Sequence, residues 1–139
     1  SFLSPLLHDI RLTYADIQSI YITTDIEEIE VSSKQSLPLG IIITELISNS
    51  VKYAFEKNDN GIIHISIYKD RDTPGFLCIE VSDNGKGMPS EVADKGKYGF
   101  GLTLVEGYTV QFDGSMSIEG NGENDDEGGT TVRVLLKLE

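Results

Sequence analysis

A row of polar side chains with helical spacing lies near the middle of the sequence, in the stretch ELISNSVKYAF. Glu45, Asn49 and Tyr53 are four residues apart, so a helix would stack them on one face, with a lysine beside them. An asparagine oxygen is a hard ligand for Mg²⁺, and Lys52 supplies positive charge for phosphate oxygens. Glu45 could accept a proton or orient a water, and Tyr53 offers a ring face to a base or ribose. These residue types suit a metal-bound triphosphate, although any amphipathic helix also has a polar face.

A glycine-rich segment, DNGKGMP, follows a predicted strand and begins at Asp83. A carboxylate on the floor of a pocket can accept a hydrogen bond from the amino group of adenine, whereas guanine presents a carbonyl there. Gly85 and Gly87 would let a base approach the main chain closely. A hairpin turn is the alternative, because Asn-Gly favours one, but no strand follows at hairpin distance. The segment therefore predicts a site that selects adenine.

Two further glycine motifs come later in the chain. Gly99–Leu102, with the sequence GFGL, opens a predicted helix, whose free N–H groups and dipole favour phosphate. Gly128–Thr131 starts the last predicted strand and brings a hydroxyl that could lie near Asp83, although such a segment is also an ordinary way to begin a strand. Neither motif is the dinucleotide-binding fingerprint, and the chain contains no Walker-type phosphate loop.

The composition is that of one globular domain, with 139 residues, 39% of them hydrophobic and 24% charged. A net charge of −12 argues against nucleic-acid binding and against an anionic membrane surface, since both need a basic face. The predicted ligand is also an anion, but lysines lie among the motifs, at Lys52, Lys86, Lys95 and Lys97. No apolar run reaches the roughly 20 residues of a membrane span. The single cysteine, Cys78, fits a reducing compartment.

Hydrophobic periodicity predicts the elements that would position these motifs. We expect a helix over 2–14, a second from a cap at Ser33 or Ser36 to about Phe55 with Pro38 in its first turn, and a third over 102–112. Strands are expected over 19–24, 62–69, 76–82, 115–119 and 131–138. Glu28–Val31 would pair beside the first strand. The apolar stripe of the long helix would be Leu39, Ile43, Leu46, Ile47, Val51 and Ala54.

This order of elements predicts an α+β fold, a two-layer α/β sandwich with a mixed, mostly antiparallel sheet and helices on one face. The other face of the sheet would be exposed or covered by a partner. Residues 1–14 would be the tail of a preceding helix or linker, and 15–139 the domain itself. The chain begins at Ser1 without an initiator Met or a signal peptide, so we expect it to be part of a longer protein.

In this order, the motifs resemble those of the catalytic ATP-binding domain of sensor histidine kinases, in the superfamily that also holds type II topoisomerase, heat-shock chaperone and mismatch-repair ATPases. ELISNSVKYAF resembles the asparagine box of that family, DNGKGMP its first glycine box, GFGL its second and GGTTV its closing Gly-Thr segment. The resemblance covers 37–138 and implies the Bergerat ATP-binding fold. The segment between the glycine boxes is short and has no clear phenylalanine box, which leaves the subfamily open.

The resemblance also implies a function, the transfer of the ATP γ-phosphoryl to a histidine on a separate dimerisation domain, with a response regulator as a further partner. It implies ATP and Mg²⁺ as cofactors, Glu45 and Asn49 as catalytic residues, and Asn49 as the Mg²⁺ ligand. The isolated domain would be inactive or very slow, and the location cytoplasmic. Nucleotide contacts are implied at Asn49, Lys52, Tyr53, Asp83, Gly85, Gly87, Met88, Lys97, Gly99, Phe100, Gly101, Leu102 and Thr130.

Two other functions share these boxes: an anti-sigma-type serine protein kinase and a non-catalytic nucleotide-binding regulatory module. The second is disfavoured because Glu45, Asn49 and Asp83 are all present. Of the two histidines, His8 faintly echoes a phosphoacceptor motif. Too little chain separates it from the asparagine box for a dimerising hairpin, so we interpret it as a helix-surface residue. His64 alternates within a predicted strand and is interpreted as structural.

Overall fold

The structure is a computed structural model, and it describes residues 21–54, 61–84, 100–120 and 129–139. The predicted helix over 2–14 lies outside these residues. The sequence also predicts a turn at 57–61, a helical turn near 90–94 and an acidic loop over 120–129, and these lie wholly or mostly outside them too. Within the described ranges, the chain forms five strands and two helices. The strands are β1 (Tyr21–Ile26), β2 (Ile62–Lys69), β3 (Phe76–Asp83), β4 (Ser115–Gly120) and β5 (Thr130–Lys137), and the helices are α1 (Ser33–Ala54) and α2 (Phe100–Gln111).

The five strands form one mixed sheet in the order β1-β2-β3-β5-β4. β1 runs parallel to β2, and the other pairings among the described strands are antiparallel. The predicted strands agree closely with the observed ones, but the pairing proposed for Glu28–Val31 is wrong. Glu27 ends the pairing of the first strand by donating its N–H to the oxygen of Ile67 at 2.8 Å, and Ile29 is then buried in the core. The apolar alternation there reflects a connection whose apolar side chains, Ile29 and Val31, pack into the core.

The start of α1 differs in detail from the prediction. The main-chain oxygen of Ser32 accepts the N–H groups of Gln35 and Ser36 at 3.0 and 3.1 Å, so Ser32 precedes the first turn. The predicted caps at Ser33 and Ser36 are therefore wrong, because both residues are already helical, and the Ser36 hydroxyl donates back to Ser32. Pro38 consequently lies in the second turn, inside the helix.

Both helices pack on one face of the sheet, which confirms the predicted two-layer sandwich. α1 lies over β3 and β5 and against α2. Burying an isoleucine or leucine side chain contributes about 1.5–3 kcal/mol, so this shared core holds the helices in place. Neither described helix is long and apolar enough to cross a membrane. The fully buried members of the core include Leu39, Ile42, Ile43, Leu46, Ile47, Ile63, Ile65, Ile67, Leu77, Ile79, Leu102 and Leu136.

The opposite face of the sheet carries polar side chains that bond across the strands. The Glu80 Oε1 atom accepts hydrogen bonds from the Tyr68 hydroxyl at 2.8 Å and from Arg133 Nε at 2.6 Å. Burial, together with bonds to its neighbours, raises the pKa of Tyr68, and the bond to Glu80 raises the pKa of Arg133. Two further cross-strand pairs are Thr23 with His64 at 2.6 Å and Ser82 with Thr131 at 2.8 Å. This face is thus stabilised by its own polar contacts.

Candidate functional site

Asp83 is a buried carboxylate at the carboxyl end of β3, the central strand of the sheet. It is only 7% exposed, and it pairs in register with Ile63 on one side and Thr130 on the other. The Asp83 Oδ1 atom accepts a hydrogen bond from the Thr130 N–H at 3.2 Å. A buried carboxylate is costly unless hydrogen bonds compensate it, so this main-chain donor both stabilises and orients the side chain. Two residues predicted from separate motifs are therefore in contact.

Gly129, just before β5, makes this contact possible and was not among the predicted site residues. Its φ is +69°, in the left-handed region that favours glycine. A Cβ atom built on it would lie 1.8 Å from the main-chain oxygen of Asp83, so no other residue fits without displacing that strand end. The paired glycines of GGTTV were the available signal, since two adjacent glycines before a strand often mark a close backbone approach.

Asn49 and Glu45 lie one turn apart on α1, and both are half-buried. The Asn49 Nδ2 atom donates to the main-chain oxygen of Glu45 at 2.8 Å. Because a main-chain carbonyl oxygen can only accept, the amide nitrogen makes this contact, and Oδ1 points away from the Glu45 oxygen. A held amide oxygen is the kind of hard ligand that Mg²⁺ uses. Asn49 therefore fits a metal ligand in both donor type and orientation.

Hydrogen bonds at the far end of the sheet show where α1 points. Gln35, in the first turn of the helix, is 1% exposed and donates from Nε2 to the main-chain oxygen of Lys137 at 2.8 Å. A helix rises about 1.5 Å per residue, so the path from Gln35 to Asn49 is about 21 Å. From Lys137 back to Thr130 a strand covers about 23 Å. Since α1 packs over β3 and β5, a helix of this length is long enough to bring Asn49 towards the end of the sheet where Asp83 and Thr130 pair.

The length of α2 indicates where its first turn lies. The carboxyl end of α2 is fixed at the opposite end, because the Phe112 oxygen accepts the Lys137 N–H at 2.9 Å. Twelve residues of helix then carry the chain back by about 18 Å. Leu102 is fully buried in the core, so any contact it makes with a ligand would come from its main chain. A helix of this length is long enough to bring its amino end close to the Asp83 end of the sheet.

Several predicted site residues cannot be placed. The main chain of Lys52, Tyr53, Phe100 and Gly101 lies on the two helices, but the side chains of the first three fall outside the described part of the structure. The remaining predicted contacts lie wholly outside it, at Gly85, Gly87, Met88, Lys97 and Gly99. The described site thus consists of one end of α1, the paired ends of β3 and β5, and the start of α2.

This fold and arrangement define a nucleotide-binding class of domain. A model of the family described as histidine kinase-, DNA gyrase B- and HSP90-like ATPase matches residues 34–139. The match covers most of the chain, so the protein belongs to that family. The resemblance inferred from the asparagine and glycine boxes is confirmed at the level of family and fold.

Known proteins similar to this chain fall into two functional groups. An anti-sigma F factor of Clostridium botulinum is 28% identical over 69% of this chain and 66% of its own length. A probable C4-dicarboxylate sensor kinase of Halalkalibacterium halodurans is 28% identical over 70% of this chain, but only 19% of its own length is covered. The solved structure of the mycobacterial sensor histidine kinase MprB has the same fold, with a TM-score of 0.77 at 17% identity, over 99% of this chain and 93% of that one.

Proposed function

We propose that this chain is the ATP- and Mg²⁺-binding catalytic domain of a two-component sensor histidine kinase. It would transfer the γ-phosphoryl of ATP to a histidine on a separate dimerisation domain of the same protein. A response regulator would be a further partner, and the protein's location would be cytoplasmic. The catalytic domain would comprise residues 15–139, with 1–14 as the tail of a preceding helix or linker. The observation that carries the proposal is the buried Asp83 carboxylate, which the Thr130 N–H orients at the end of β3, in a chain that also carries the asparagine and glycine boxes.

Asp83 would recognise the adenine base. Its carboxylate is buried and oriented by the Thr130 N–H, so it can accept a hydrogen bond from the adenine amino group without first being ordered. Guanine places a carbonyl oxygen where adenine has its amino group, and two acceptors repel. Gly85, Gly87 and Met88 would form the wall beside the base, and Tyr53 would lie along the nucleotide. Adenine selectivity is therefore the expected property of this end of the site.

The phosphates would lie between α1 and α2. Asn49 would present Oδ1 to Mg²⁺, which when bound would neutralise charge on the phosphate oxygens. The N–H groups of the first turn of α2, with Gly99, Phe100, Gly101 and Leu102, would donate to the phosphates, and Lys52 and Lys97 would add positive charge. Glu45, one turn before Asn49, would accept a proton from the attacking group or orient it. These residues act mainly by positioning and by compensating charge.

A second candidate is a serine protein kinase of the anti-sigma type. It is favoured by one observation: the anti-sigma F factor is as similar to this chain as the sensor kinase, at 28% identity over 69% and 70% of the chain respectively. Both candidates use the same nucleotide site. They differ in the group that receives the phosphoryl, which is an imidazole nitrogen in one and a hydroxyl oxygen in the other.

The full-length protein, incubated with ATP labelled in the γ-phosphoryl, tests both candidates. A phosphoryl group on histidine is lost in acid and kept in base, whereas one on serine is kept in acid and lost in base. Acid-labile label on the protein itself is the result expected for a histidine kinase. Acid-stable label on a partner protein would favour the serine kinase, and the absence of ATP binding in a calorimetric titration would contradict both.

A further inference from the structure

The last residue described after β3 continues the sheet in an unusual way. Asn84 donates its main-chain N–H to the oxygen of Ile62 at 3.2 Å. The return bond does not go to the main chain, because the N–H of Ile62 donates to the side-chain oxygen of Asn84, Oδ1, at 2.7 Å. Ile62 is the first residue of β2, so Asn84 fastens the end of β3 to the start of its neighbour.

This pattern has a geometric consequence. In an antiparallel sheet, every second pair of facing residues exchanges two main-chain N–H···O bonds. Ile63 faces Asp83, so Ile62 and Asn84 occupy the next rung. Here the Asn84 amide oxygen replaces its own main-chain oxygen as the acceptor. The chain can therefore turn out of the sheet at Asn84 without leaving the Ile62 N–H unpaired, and a short side chain with a carbonyl oxygen is needed for this.

Hydrogen bonds consequently hold the chain at Asp83 from both neighbouring strands. On the β5 side, the Thr130 N–H binds the carboxylate itself. On the β2 side, the bonds of Asn84 hold the next residue of the chain. If the β2 side were released, the main chain at Asp83 could twist away from β2, and the carboxylate would move with it. The carboxylate lies on the helix-facing side of the sheet, whereas Asn84 is exposed.

We propose that Asn84 is a positioning residue for base selection: its amide oxygen, bound to the Ile62 N–H, holds Asp83 in the orientation that accepts the adenine amino group. This role rests on the proposed ATP site. Asn84 need not touch the nucleotide, and its effect is expected on the preference for adenine over guanine. A purely structural role would change stability and leave that preference intact.

Three substitutions separate the acceptor from the rest of the side chain. Asn84→Ala removes the acceptor. Asn84→Gln keeps the amide but places its oxygen one methylene further from the main chain, away from the position that binds the Ile62 N–H. Asn84→Asp keeps an oxygen at the same distance and is the conservative rescue. Loss of one hydrogen bond is worth about a tenfold change, so we expect the ratio of ATP to GTP affinity to fall about tenfold for Ala and Gln. The Asp variant should stay within about threefold of the wild-type ratio.

The experiment is a calorimetric titration of the whole chain and each variant with non-hydrolysable ATP and GTP analogues, together with amide hydrogen exchange of the ligand-free proteins. The Ala and Gln variants should lose protection at the Ile62 and Thr130 amides, and the Asp variant should keep it. An unchanged ATP-to-GTP ratio in a variant that has lost Ile62 protection would overturn the role of Asn84 while leaving the ATP site standing. If the wild type binds neither analogue, the proposed function fails and this role fails with it.

Discussion

The two ends of the sheet are built in different ways. At the Lys137 end, the Gln35 amide donates to the Lys137 oxygen and accepts the Glu139 N–H at 3.2 Å, so both of its polar atoms are used within the fold. Main-chain bonds from Lys137 to Phe112 and from Leu138 to Gly75 join the remaining segments there. At the Asp83 end, the bonds of Thr130 and Asn49 instead orient side chains whose chemistry suits a ligand.

This difference shows how one small domain separates stability from function. The Lys137 end ties the start of α1, the end of α2 and the end of β5 together, at positions far apart in the chain. The helices are thereby anchored at one end, and their other ends carry the site residues. Substitutions at the Lys137 end should therefore change stability alone, whereas substitutions at the Asp83 end should change nucleotide binding.

The largest expected effect compares two glycines with positive φ, one at each end. Gly129→Ala would place a Cβ atom 1.8 Å from the Asp83 oxygen, whereas a Cβ on Gly75, at φ +84°, would meet nothing within 4 Å. We expect Gly129→Ala to lower the free energy of unfolding by about 3 kcal/mol or more and to abolish ATP binding. Gly75→Ala should cost about 1 kcal/mol and leave ATP binding intact. Urea denaturation and calorimetric titration measure both, and equal losses would contradict the asymmetry between the ends.

Asp83→Asn tests the site end directly. The Thr130 N–H needs an acceptor, so the new amide oxygen should keep that bond and the amide nitrogen should replace the other carboxylate oxygen. A donor would then face the base, which disfavours adenine and favours the guanine carbonyl. We expect ATP affinity to fall about 100-fold, because a hydrogen bond to a charged group is lost and two donors then face each other. The preference for ATP over GTP should also be lost. Unchanged preference in paired titrations would refute the assignment of Asp83 to the base.

Much of this fold could be predicted from the sequence because its signals are local. Strand alternation in β2 and β3, and the apolar stripe of α1, follow from the period of each element. The boundary errors also have a physical cause. Three serines near the start of α1 offer similar caps, and only tertiary packing decides that the chain turns at Ser32. The apolar pattern of Glu28–Val31 could not distinguish a strand from a connection that packs into the core.

The site was predictable only as a list of residue types. The motifs indicated Asn49 and Asp83, but the sequence carries no signal for the Gln35 contact that aligns α1 with the sheet, because its partner lies about a hundred residues away. The sequence likewise shows Gly129 and Asn84 but not their structural roles. The role of Gly129 depends on the close approach of the Asp83 main chain, and that of Asn84 on a hydrogen bond to the neighbouring strand. The Asn-Gly pair in the sequence is typical of a turn, whereas in the structure Asn84 binds β2 through its side chain.

Gln35→Ala tests the opposite end. It removes two part-buried hydrogen bonds, to the Lys137 oxygen and from the Glu139 N–H, and each is worth about 0.5–1.5 kcal/mol. We expect the free energy of unfolding to fall by about 2 kcal/mol while ATP affinity stays within about twofold of wild type. Gln35→Glu would bury a carboxylate oxygen against the Lys137 oxygen, so its stability should fall further than that of Gln35→Ala at neutral pH. Chemical denaturation with a parallel titration measures this, and a large loss of ATP affinity at retained fold would show that the two ends are coupled.

Asn49→Ala should have the smallest effect, confined to the metal-dependent part of binding. It removes the amide oxygen that is oriented by the bond to the Glu45 oxygen. We expect the gain in ATP affinity on adding Mg²⁺ to shrink about tenfold, as for other losses at a metal site, with little change in the metal-free affinity. Ser48→Ala, one residue earlier on the same helix and also half-buried, is the matched control and should keep the full gain. Titrations with and without Mg²⁺ measure this, and a Mg²⁺ effect that survives Asn49→Ala intact would show that another group holds the metal.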